Sequence, residues 1–484
     1  MKRTWTVFLS MLLFVSCFLG GVGCSKKQKE RTRYEIVAEY KPSDHAIAGT
    51  VKVDFYNDYD TEFVCLKFQL YPNAYRENSY LSPIGYDVMT EAYYDGQSYG
   101  EINVSSVVGA SNFEIGGEDK NILLAYLPKP LAPQERVVLD IGFTTRLAKV
   151  NHWIGETTQT VNFAGVFPLL CGVMDGEFYE CAPSDVGTPL FANVADVTLR
   201  LTLPKEYALA CPAVSVQEEV LETQKRHTMS LANTRDTSFC ISQEYKISKR
   251  ETGKTQVRFY HFGETDAEEV AELACRAVQF FSSSFGEYPY EALTIAETGM
   301  VRTAFDQAGL CMIPERALGE ERVVSLLSSI ASQWWYSGVG VNRVEHAWLV
   351  EGLSAYSVAL FLEEYPEYGA TKKEFLERAK AEYLKYKDAY LKAFGWVDAR
   401  IDRPLGEFIN TYEYDSIVKN KAVVMLSELE KGIGRKKLLA GLRKYYSQNV
   451  YGVATPAHLV GAFEKIGVNV GGFFEGYLNG KGTF

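Results

Sequence analysis

Two serines and one carboxylate stand out by their spacing in the stretch from Ser325 to Tyr356. Ser328 and Ser332 lie four residues apart in a segment with helical apolar spacing, so their side chains project from the same face. Glu351 is the one carboxylate of a second apolar segment with helical character. A buried, unpaired carboxylate is strongly unfavourable, so Glu351 requires a cation or hydrogen-bond donors. The sequence therefore predicts that a positively charged side chain or hydrogen-bond donors lie beside Glu351.

This stretch resembles the zinc aminopeptidases of the membrane alanyl aminopeptidase family, the gluzincins. In that family one helix reads His-Glu-x-x-His-Gln-Trp, and a later Trp-Leu-x-Glu-Gly segment supplies the third zinc ligand. Gln333-Trp334 and Trp348-Leu349-Val350-Glu351-Gly352 match those two features, and the interval between Ser332 and Glu351 is that of the family. The His-Glu-x-x-His core instead reads Ser328-Ser329-Ile330-Ala331-Ser332. The resemblance therefore implies a gluzincin scaffold whose metal site has been replaced.

The resemblance assigns a lost role to each replaced position. Ser328 and Ser332 stand where the imidazole ligands would be, Ser329 at the general base, and Lys419 at the oxyanion-stabilising tyrosine. Serine hydroxyls stay protonated near neutral pH and are weak zinc ligands. Glu351 is the only surviving family ligand. We therefore expect no catalytic residues, no metal site and no zinc cofactor.

The family's substrate loop, Gly-Ala-Met-Glu-Asn, corresponds to the text from Thr303 to Leu310. Asp306 and Gln307 keep an acid and an amide there, and with Glu351 and Lys419 they are the expected substrate-binding residues. We predict that the Lys419 ammonium lies within about 8 Å, the screening length at physiological salt, of Glu351 or Asp306. We also predict that Ser328 or Ser332 donates a hydrogen bond to Glu351.

The sequence leaves two other catalytic sites open, a rearranged metal site and a serine nucleophile. It also leaves open that Asp306 is an ordinary loop residue. His346, with Glu345 and Glu351, is the only local cluster that includes one of the six histidines. Alternatively, Lys419 could activate one of the helix serines as a nucleophile.

The patterning predicts an α+β fold. A length of 484 residues suggests two or three domains. Alternating apolar and polar residues, with Pro, Gly and Asn between the runs, predict strands over most of residues 34–252. We predict a β-sandwich or saddle-like domain there, followed over residues 253–484 by a mainly α-helical gluzincin-like (thermolysin-like) domain with a small sheet. Leu70-Tyr71-Pro72-Asn73 and Phe285-Gly286-Glu287-Tyr288-Pro289 also resemble family turns.

The net charge limits the kinds of partner to expect, and the N-terminal segment predicts where the protein is located. A net charge of −11 argues against a nucleic-acid partner, since phosphate binding needs a basic face. Residues 1–23 predict a lipoprotein signal peptide, Cys24 the lipid attachment site, and residues 24–33 a tether. An ordinary signal peptide and a retained anchor are the alternatives. The expected location is extracytoplasmic, lipid-anchored to a bacterial cell membrane.

The seven cysteines that follow Cys24 show no C-x-x-C spacing, which excludes a zinc knuckle and a dithiol redox motif. They are interpreted as buried small hydrophobic residues, although a Cys171–Cys181 disulfide remains open in an exported protein.

Together these features predict a catalytically inactive, metallopeptidase-like surface lipoprotein that binds a peptide or protein partner in the old active-site cleft. The alternatives are an active hydrolase with a rearranged site, and a structural lipoprotein whose cleft is closed.

Overall fold

A computed structural model describes residues 30–263, 266–301, 304–317 and 319–482 of the chain. The predicted signal peptide, Cys24 and most of the predicted tether lie outside these residues. Within them, no helix combines the length and apolar character needed to cross a membrane.

The strands are numbered in chain order. They are β1 Arg33–Lys41, β2 Ala46–Tyr56, β3 Phe63–Gln69, β4 Glu101–Val108, β5 Asn112–Gly116, β6 Ile122–Leu131, β7 Arg136–Arg146, β8 Ile154–Glu156, β9 Val161–Phe163, β10 Leu169–Leu170, β11 Gly172–Met174, β12 Glu177–Tyr179, β13 Ala195–Pro204, β14 Ala208–Ala210, β15 Val216–Val220, β16 Gln224–Thr234, β17 Cys240–Ser242, β18 Lys246–Thr252, β19 Thr255–His261, β20 Ala292–Thr298, β21 Phe305–Gln307 and β22 Leu310–Pro314.

The helices follow the same convention. They are α1 Met89–Ala92, α2 Ala267–Phe285, α3 Gly319–Ser332, α4 Trp348–Glu364, α5 Lys372–Phe394, α6 Thr411–Tyr414, α7 Ala422–Ile433, α8 Arg435–Asn449, α9 Pro456–Glu464 and α10 Gly471–Leu478. Two π-helical segments, Gln333–Gly338 and Asp415–Lys421, continue from α3 and α6. Short 3₁₀ turns lie at Pro42–Asp44, Tyr71–Tyr75, Pro366–Tyr368 and Leu405–Glu407.

The N-terminal half is built on two larger sheets. One has seven strands in the order β15-β16-β13-β1-β2-β7-β4, with β1 and β13 parallel and the other pairs antiparallel. The other has four strands in the order β10-β3-β6-β5. Alternate side chains of β1 are buried, as the alternation in its sequence predicts. Apolar residues from both sheets share one core, for example Ile36, Val51, Leu66 and Leu123.

The C-terminal half packs helices on a five-stranded sheet of order β18-β19-β20-β22-β21, in which β19, β20 and β22 run parallel. Helices α2, α3, α4, α7 and α8 contribute to its core. The predicted α+β class, with a sheet domain followed by a helical domain, is therefore confirmed. The predicted boundary after residue 252 stays a prediction, but β18 pairs with β19 and so belongs to the second sheet.

One buried arginine joins the two halves. Arg235, at the end of the N-terminal sheet, is 4% exposed, and its guanidinium donates to four backbone carbonyls. The acceptors are Ala192 O at 2.8 Å, Gly452 O at 2.7 Å, Tyr336 O at 3.2 Å and Ser337 O at 3.3 Å. Three of these carbonyls belong to the C-terminal half, so Arg235 cross-links segments that are far apart in sequence.

The cysteines of the described residues carry free thiols, six of them buried and Cys65 half-buried. This agrees with their interpretation as small apolar residues. The Cys171–Cys181 disulfide left open above does not form.

Candidate functional site

Helix α3 carries the three replaced positions, of which Ser329 and Ser332 lie in the C-terminal core and Ser328 is half-buried. Leu326, Leu327 and Ile330 bury its apolar face, and Ser329 and Ser332 are buried beside them. The Ser332 hydroxyl donates to the backbone carbonyl of Ser329 at 2.9 Å. The prediction that Ser328 or Ser332 donates to Glu351 is wrong: among the described residues the side-chain donor to Glu351 is Arg343, and no serine is.

Glu351 lies in the first turn of α4, a helix buried on nearly all sides. Arg343 donates to its Oε1 at 2.6 Å, and the Lys419 ammonium lies 3.8 Å from its Oε2. Burial alone would raise the pKa of Glu351, but Lys419 and Arg343 outweigh burial and hold the pKa below its usual value. The carboxylate therefore stays ionised next to two cations.

Lys419 meets the predicted distance to Glu351, and its closer partner is Asp415, at 2.8 Å. Burial acts to lower the pKa of Lys419, but Asp415 and Glu351 outweigh that effect and raise it. A lysine with a raised pKa is a poor general base, and the ammonium of Lys419 pairs with the Asp415 and Glu351 carboxylates. The Ser–Lys alternative therefore has no supporting geometry.

Asp306 is the central residue of β21, the edge strand of the C-terminal sheet. Its Oδ2 lies 3.5 Å from Arg343 Nη1, and its side chain is 13% exposed. Burial raises the pKa of Asp306, and Arg343 opposes that shift only in part. Arg343 thus bridges both predicted substrate-binding acids, Asp306 and Glu351.

Gln307 is buried beside Asp306. Its backbone carbonyl accepts from Gln333 Nε2 at 2.9 Å, and the next amide, Ala308 N–H, donates to Asp236 Oδ2 at 3.1 Å. Two backbone groups at the end of this edge strand are thus already bonded to side chains. A peptide that added to the edge as a further strand would meet fewer free groups there than the sequence suggests.

Arg343 was missed at the sequence level. It is 4% exposed, lies in the loop before α4, and places its guanidinium 4.9 Å from the centre of the Tyr336 ring. Asp306 and Glu351 raise the pKa of Arg343 against the effect of burial. The available signal was physical: Glu351 needs a buried cation, and Arg343 is only eight residues away.

Tyr414 and Asp415, which the sequence analysis did not assign to the site, also belong to this cluster. Burial, and next the charge of Glu351, raise the pKa of Tyr414, whose hydroxyl has no hydrogen-bond partner among the described residues. Tyr414 and Lys419 are five residues apart across a π-helical turn. Because a π-helix bonds i to i+5, residues with that spacing approach one face.

The alternative cluster around His346 is not assembled. The His346 ring pairs with Asp402 at 2.8 Å, and Glu345 accepts from the Tyr179 hydroxyl at 2.5 Å. Glu351 is held by Arg343, so these three side chains serve three different partners. The rearranged metal site is therefore contradicted by the geometry.

The donor set does not fit a zinc ion. Zinc sites of this kind use imidazoles and a carboxylate, whereas α3 offers hydroxyls and Glu351 is already bonded to a guanidinium. A second cation placed next to buried Arg343 would be repelled. Across the described ranges, no three or more His, Cys, Asp and Glu side chains form a group suited to a metal.

Comparison with solved structures supports the fold. The M1 zinc metallopeptidase from Deinococcus radiodurans is 15% identical with a TM-score of 0.66, over 94% of this chain and 96% of that chain. A point mutant of an M1 zinc metallopeptidase from the same organism, bound to a Tyr-Ser-Ala substrate, is 16% identical with a TM-score of 0.63, over 93% and 94%. No family model and no curated protein matches this chain. At such identity the likeness establishes the M1 metallopeptidase fold and no more.

Proposed function

We propose that this chain is a catalytically inactive protein built on the M1 metallopeptidase fold. It is exported, anchored through a lipid on Cys24, and binds a peptide or protein partner in the cleft around Glu351. The observation that carries the loss of catalysis is the 2.6 Å pair between Arg343 and Glu351. In this pair a fixed guanidinium supplies the positive charge that the surviving acid requires.

The charges of the cleft favour a partner with a free amine. The cleft holds three acidic side chains and two basic ones, which leaves a net negative charge at neutral pH. The acids are Asp306, Glu351 and Asp415, and the bases are Arg343 and Lys419. Lys419 and Asp415 are 35% and 39% exposed, so an incoming ligand can reach them. Cationic peptide N-termini are thus better matched than carboxylates.

A closed, structural role is the second candidate. The bonded edge groups at Gln307 and Ala308 favour it, because they reduce what an added peptide strand could pair with. Trp334 and Trp335 do not favour it. They are fully buried core residues whose indoles donate to Gly286 O and Ser357 Oγ, both at 2.9 Å.

Loss of catalysis is tested by zinc content and by turnover of aminoacyl anilides. We expect neither bound zinc nor turnover. Stoichiometric zinc with metal-dependent turnover would overturn the proposal.

A reconstruction separates the effect of the serines from that of the arginine. We expect the double variant Ser328→His/Ser332→His to bind zinc weakly while Arg343 remains. The triple variant with Arg343→Met should bind it at least tenfold more tightly, because the competing cation is gone. Equal zinc affinity in the two variants would show that Arg343 does not oppose a metal.

Partner binding is tested by a screen of peptides with free N-termini. Glu351→Gln should reduce binding of any hit, whereas the exposed control Glu219→Gln should leave binding unchanged. Equal binding by both variants would place the ligand outside the cleft. A screen without hits would favour the structural role.

A further inference from the structure

Helix α5 is long but contributes little to the core. It runs over 23 residues, of which only Ala379, Tyr383 and Tyr386 are buried. The helix has the length to cross a bilayer, but no described helix, α5 included, is apolar enough to do so. Most of the surface of α5 is therefore open to solvent or to a partner.

Five large apolar side chains lie exposed at the C-terminal end of α5 and in the segment that follows it. We call them the α5 patch, and each is between 42% and 67% exposed. The five are Leu391, Phe394, Trp396, Ile409 and Tyr412. Single exposed apolar side chains are common in folded proteins, whereas contiguous apolar patches mark binding surfaces.

Ring contacts join the α5 patch into one surface. Between ring centres, Phe394 lies 5.3 Å from Tyr390, and Tyr390 lies 4.4 Å from Tyr386. Tyr386 in turn lies 6.1 Å from Tyr412. The Asn410 side-chain amide donates to the Tyr390 hydroxyl at 3.2 Å, which holds the following segment against α5. The patch is therefore continuous across both segments.

Helix α5 is basic, although the whole chain has a net charge of −11. It carries seven lysines and arginines and four aspartates and glutamates, so its own net charge is +3. Lys387 lies three residues after Leu384 and four before Leu391, so it shares a face with these two exposed leucines. A basic helix with an exposed apolar stripe is typical of elements that lie on a membrane surface.

Three acidic side chains next to the α5 patch are paired with basic ones. Asp388 pairs with Lys392 at 2.5 Å on α5 itself. In the segment after α5, Arg400 pairs with both Asp398 and Glu407 at 2.6 Å. Because their charges are balanced locally, these acids add little repulsion towards an anionic surface.

The length of the predicted tether brings a bilayer within reach. Glu30 follows Cys24 by six positions. An extended chain spans at most about 3.6 Å per residue, so a lipid on Cys24 would hold Glu30 within about 20 Å of the bilayer surface. A second copy of this chain is a poorer occupant of the patch, because it would bring another net charge of −11.

We propose that the α5 patch docks on an anionic lipid bilayer. The Phe394 and Trp396 rings enter the interfacial region, which favours aromatic side chains, and Lys387 faces the lipid phosphates. The proposal rests on the lipid anchor of the proposed function, which brings the bilayer close. Tyr412 of the patch precedes Asp415 of the cleft by three residues, so docking also holds the cleft near the bilayer.

The first test detects contact between Trp396 and lipid. The full-length chain is reconstituted in vesicles of phosphatidylethanolamine and phosphatidylglycerol, with and without phosphatidylcholine brominated on its acyl chains. The brominated lipid should quench wild-type fluorescence more than that of Trp396→Phe, and the difference reports on Trp396. The buried Trp334, Trp335 and Trp348 should contribute no quenching. As a control, Tyr86→Trp in the Trp396→Phe background adds a tryptophan that is exposed outside the patch and should stay unquenched.

The second test examines the role of charge. Lys387→Gln/Lys392→Gln should reduce the quenching of Trp396 at least twofold, because each lysine near the surface attracts anionic lipid. Replacing phosphatidylglycerol with phosphatidylcholine should have the same effect. Lys129→Gln, a matched control on β6 with an exposed side chain, should leave the quenching unchanged.

Four results would overturn the proposal. Equal quenching of the wild type and Trp396→Phe, with a lipid found on Cys24 by mass spectrometry, would refute docking and leave the anchor intact. A chain without that lipid that does not float with the vesicles would refute both. Equal quenching of the Tyr86→Trp control would place the contact elsewhere. Self-association in detergent that Trp396→Ser abolishes would assign the patch to a second copy.

The anchor and the docking surface can also fail separately. Quenching of Trp396 in a chain that carries no lipid on Cys24 would support docking and refute the anchor.

Discussion

Replacing Arg343 with methionine tests whether the guanidinium serves as the counter-cation of the cleft. The variant keeps a long apolar stem but leaves Glu351 and Asp306 without their buried partner. Two unit charges about 4 Å apart interact by about 4 kcal/mol at an effective dielectric constant near 20. Breaking a buried pair by removing one partner typically costs about 3–5 kcal/mol. We expect a loss of that size in the free energy of unfolding at pH 7.

The loss should depend on pH in a definite direction. The pKa of Glu351 is held below its usual 4.5, so the pair contributes stability above pH 4.5 that is lost as the pH falls through the folded-state pKa. The pKa of Asp306 is raised, so ionising this carboxyl above its usual pKa of 3.8 lowers the free energy of unfolding. Without Arg343 the loss should be larger. The deficit of Arg343→Met should therefore be greatest near pH 7 and shrink towards pH 4.

The assay is urea unfolding followed by tryptophan fluorescence, arranged as a double-mutant cycle with Glu351→Gln. Arg226→Met is the matched control, because Arg226 pairs with Glu219 at 2.7 Å on the surface, and its loss should cost under about 1 kcal/mol. The double variant should lose clearly less than the sum of the two single variants, since the second change removes the unpaired charge. Additive losses, or an Arg343→Met deficit no larger than that of the control, would refute the reasoning.

Two further predictions concern packing and titration in the helices around the cleft. A Cβ at Gly352 would lie 2.6 Å from Ala422 Cβ, so Gly352→Ala should cost about 1–3 kcal/mol in urea unfolding. A Cβ at Gly461, in α9, would meet nothing within 4 Å, so Gly461→Ala should be neutral or stabilise by up to about 1 kcal/mol. If Gly461→Ala lost as much stability as Gly352→Ala, the packing argument would be contradicted. Burial lowers the pKa of Lys421 to about 8, so the unfolded chain binds the extra proton between pH 8 and 10.5, and stability should rise with pH over that window. The Tm of the wild type should therefore rise relative to that of Lys421→Met between pH 8 and 10.5. Parallel profiles of Tm against pH in the two proteins would show that Lys421 is not buried as described.

The fold was largely predictable from patterning, because sheet and helix periods are local. The alternation in β1 predicts a strand and the amphipathic spacing from Asp266 to Phe281 predicts a helix, and the structure has β1 and α2 there. Segment ends were less accurate: the charge-rich stretch from Lys372 to Tyr390 predicts a helix, and α5 begins at Lys372 but runs on to Phe394. Helix ends depend on capping and tertiary contacts that a periodic pattern does not encode.

The cleft was predictable only where the argument rested on charge. Glu351 required a cation, and Lys419 was correctly expected near it. Arg343 was overlooked because an arginine in a loop is usually exposed, and only the fold shows that it is buried.

The two remaining differences arise from backbone geometry. Ser332 bonds to a carbonyl three residues back, a local acceptor that helical serines commonly use. Tyr414 and Lys419 are five residues apart and approach one face across a π-helical turn, which the periodicity of the sequence does not reveal.

The cross-link made by Arg235 has a consequence for how the molecule comes apart. Separating the sheet half from the helical half would strip four hydrogen bonds from a buried cation at once, so an opened form with both halves intact is strongly disfavoured. Heating should therefore give a single cooperative transition rather than sequential melting of the two halves. Limited proteolysis should likewise release no stable half-sized fragment.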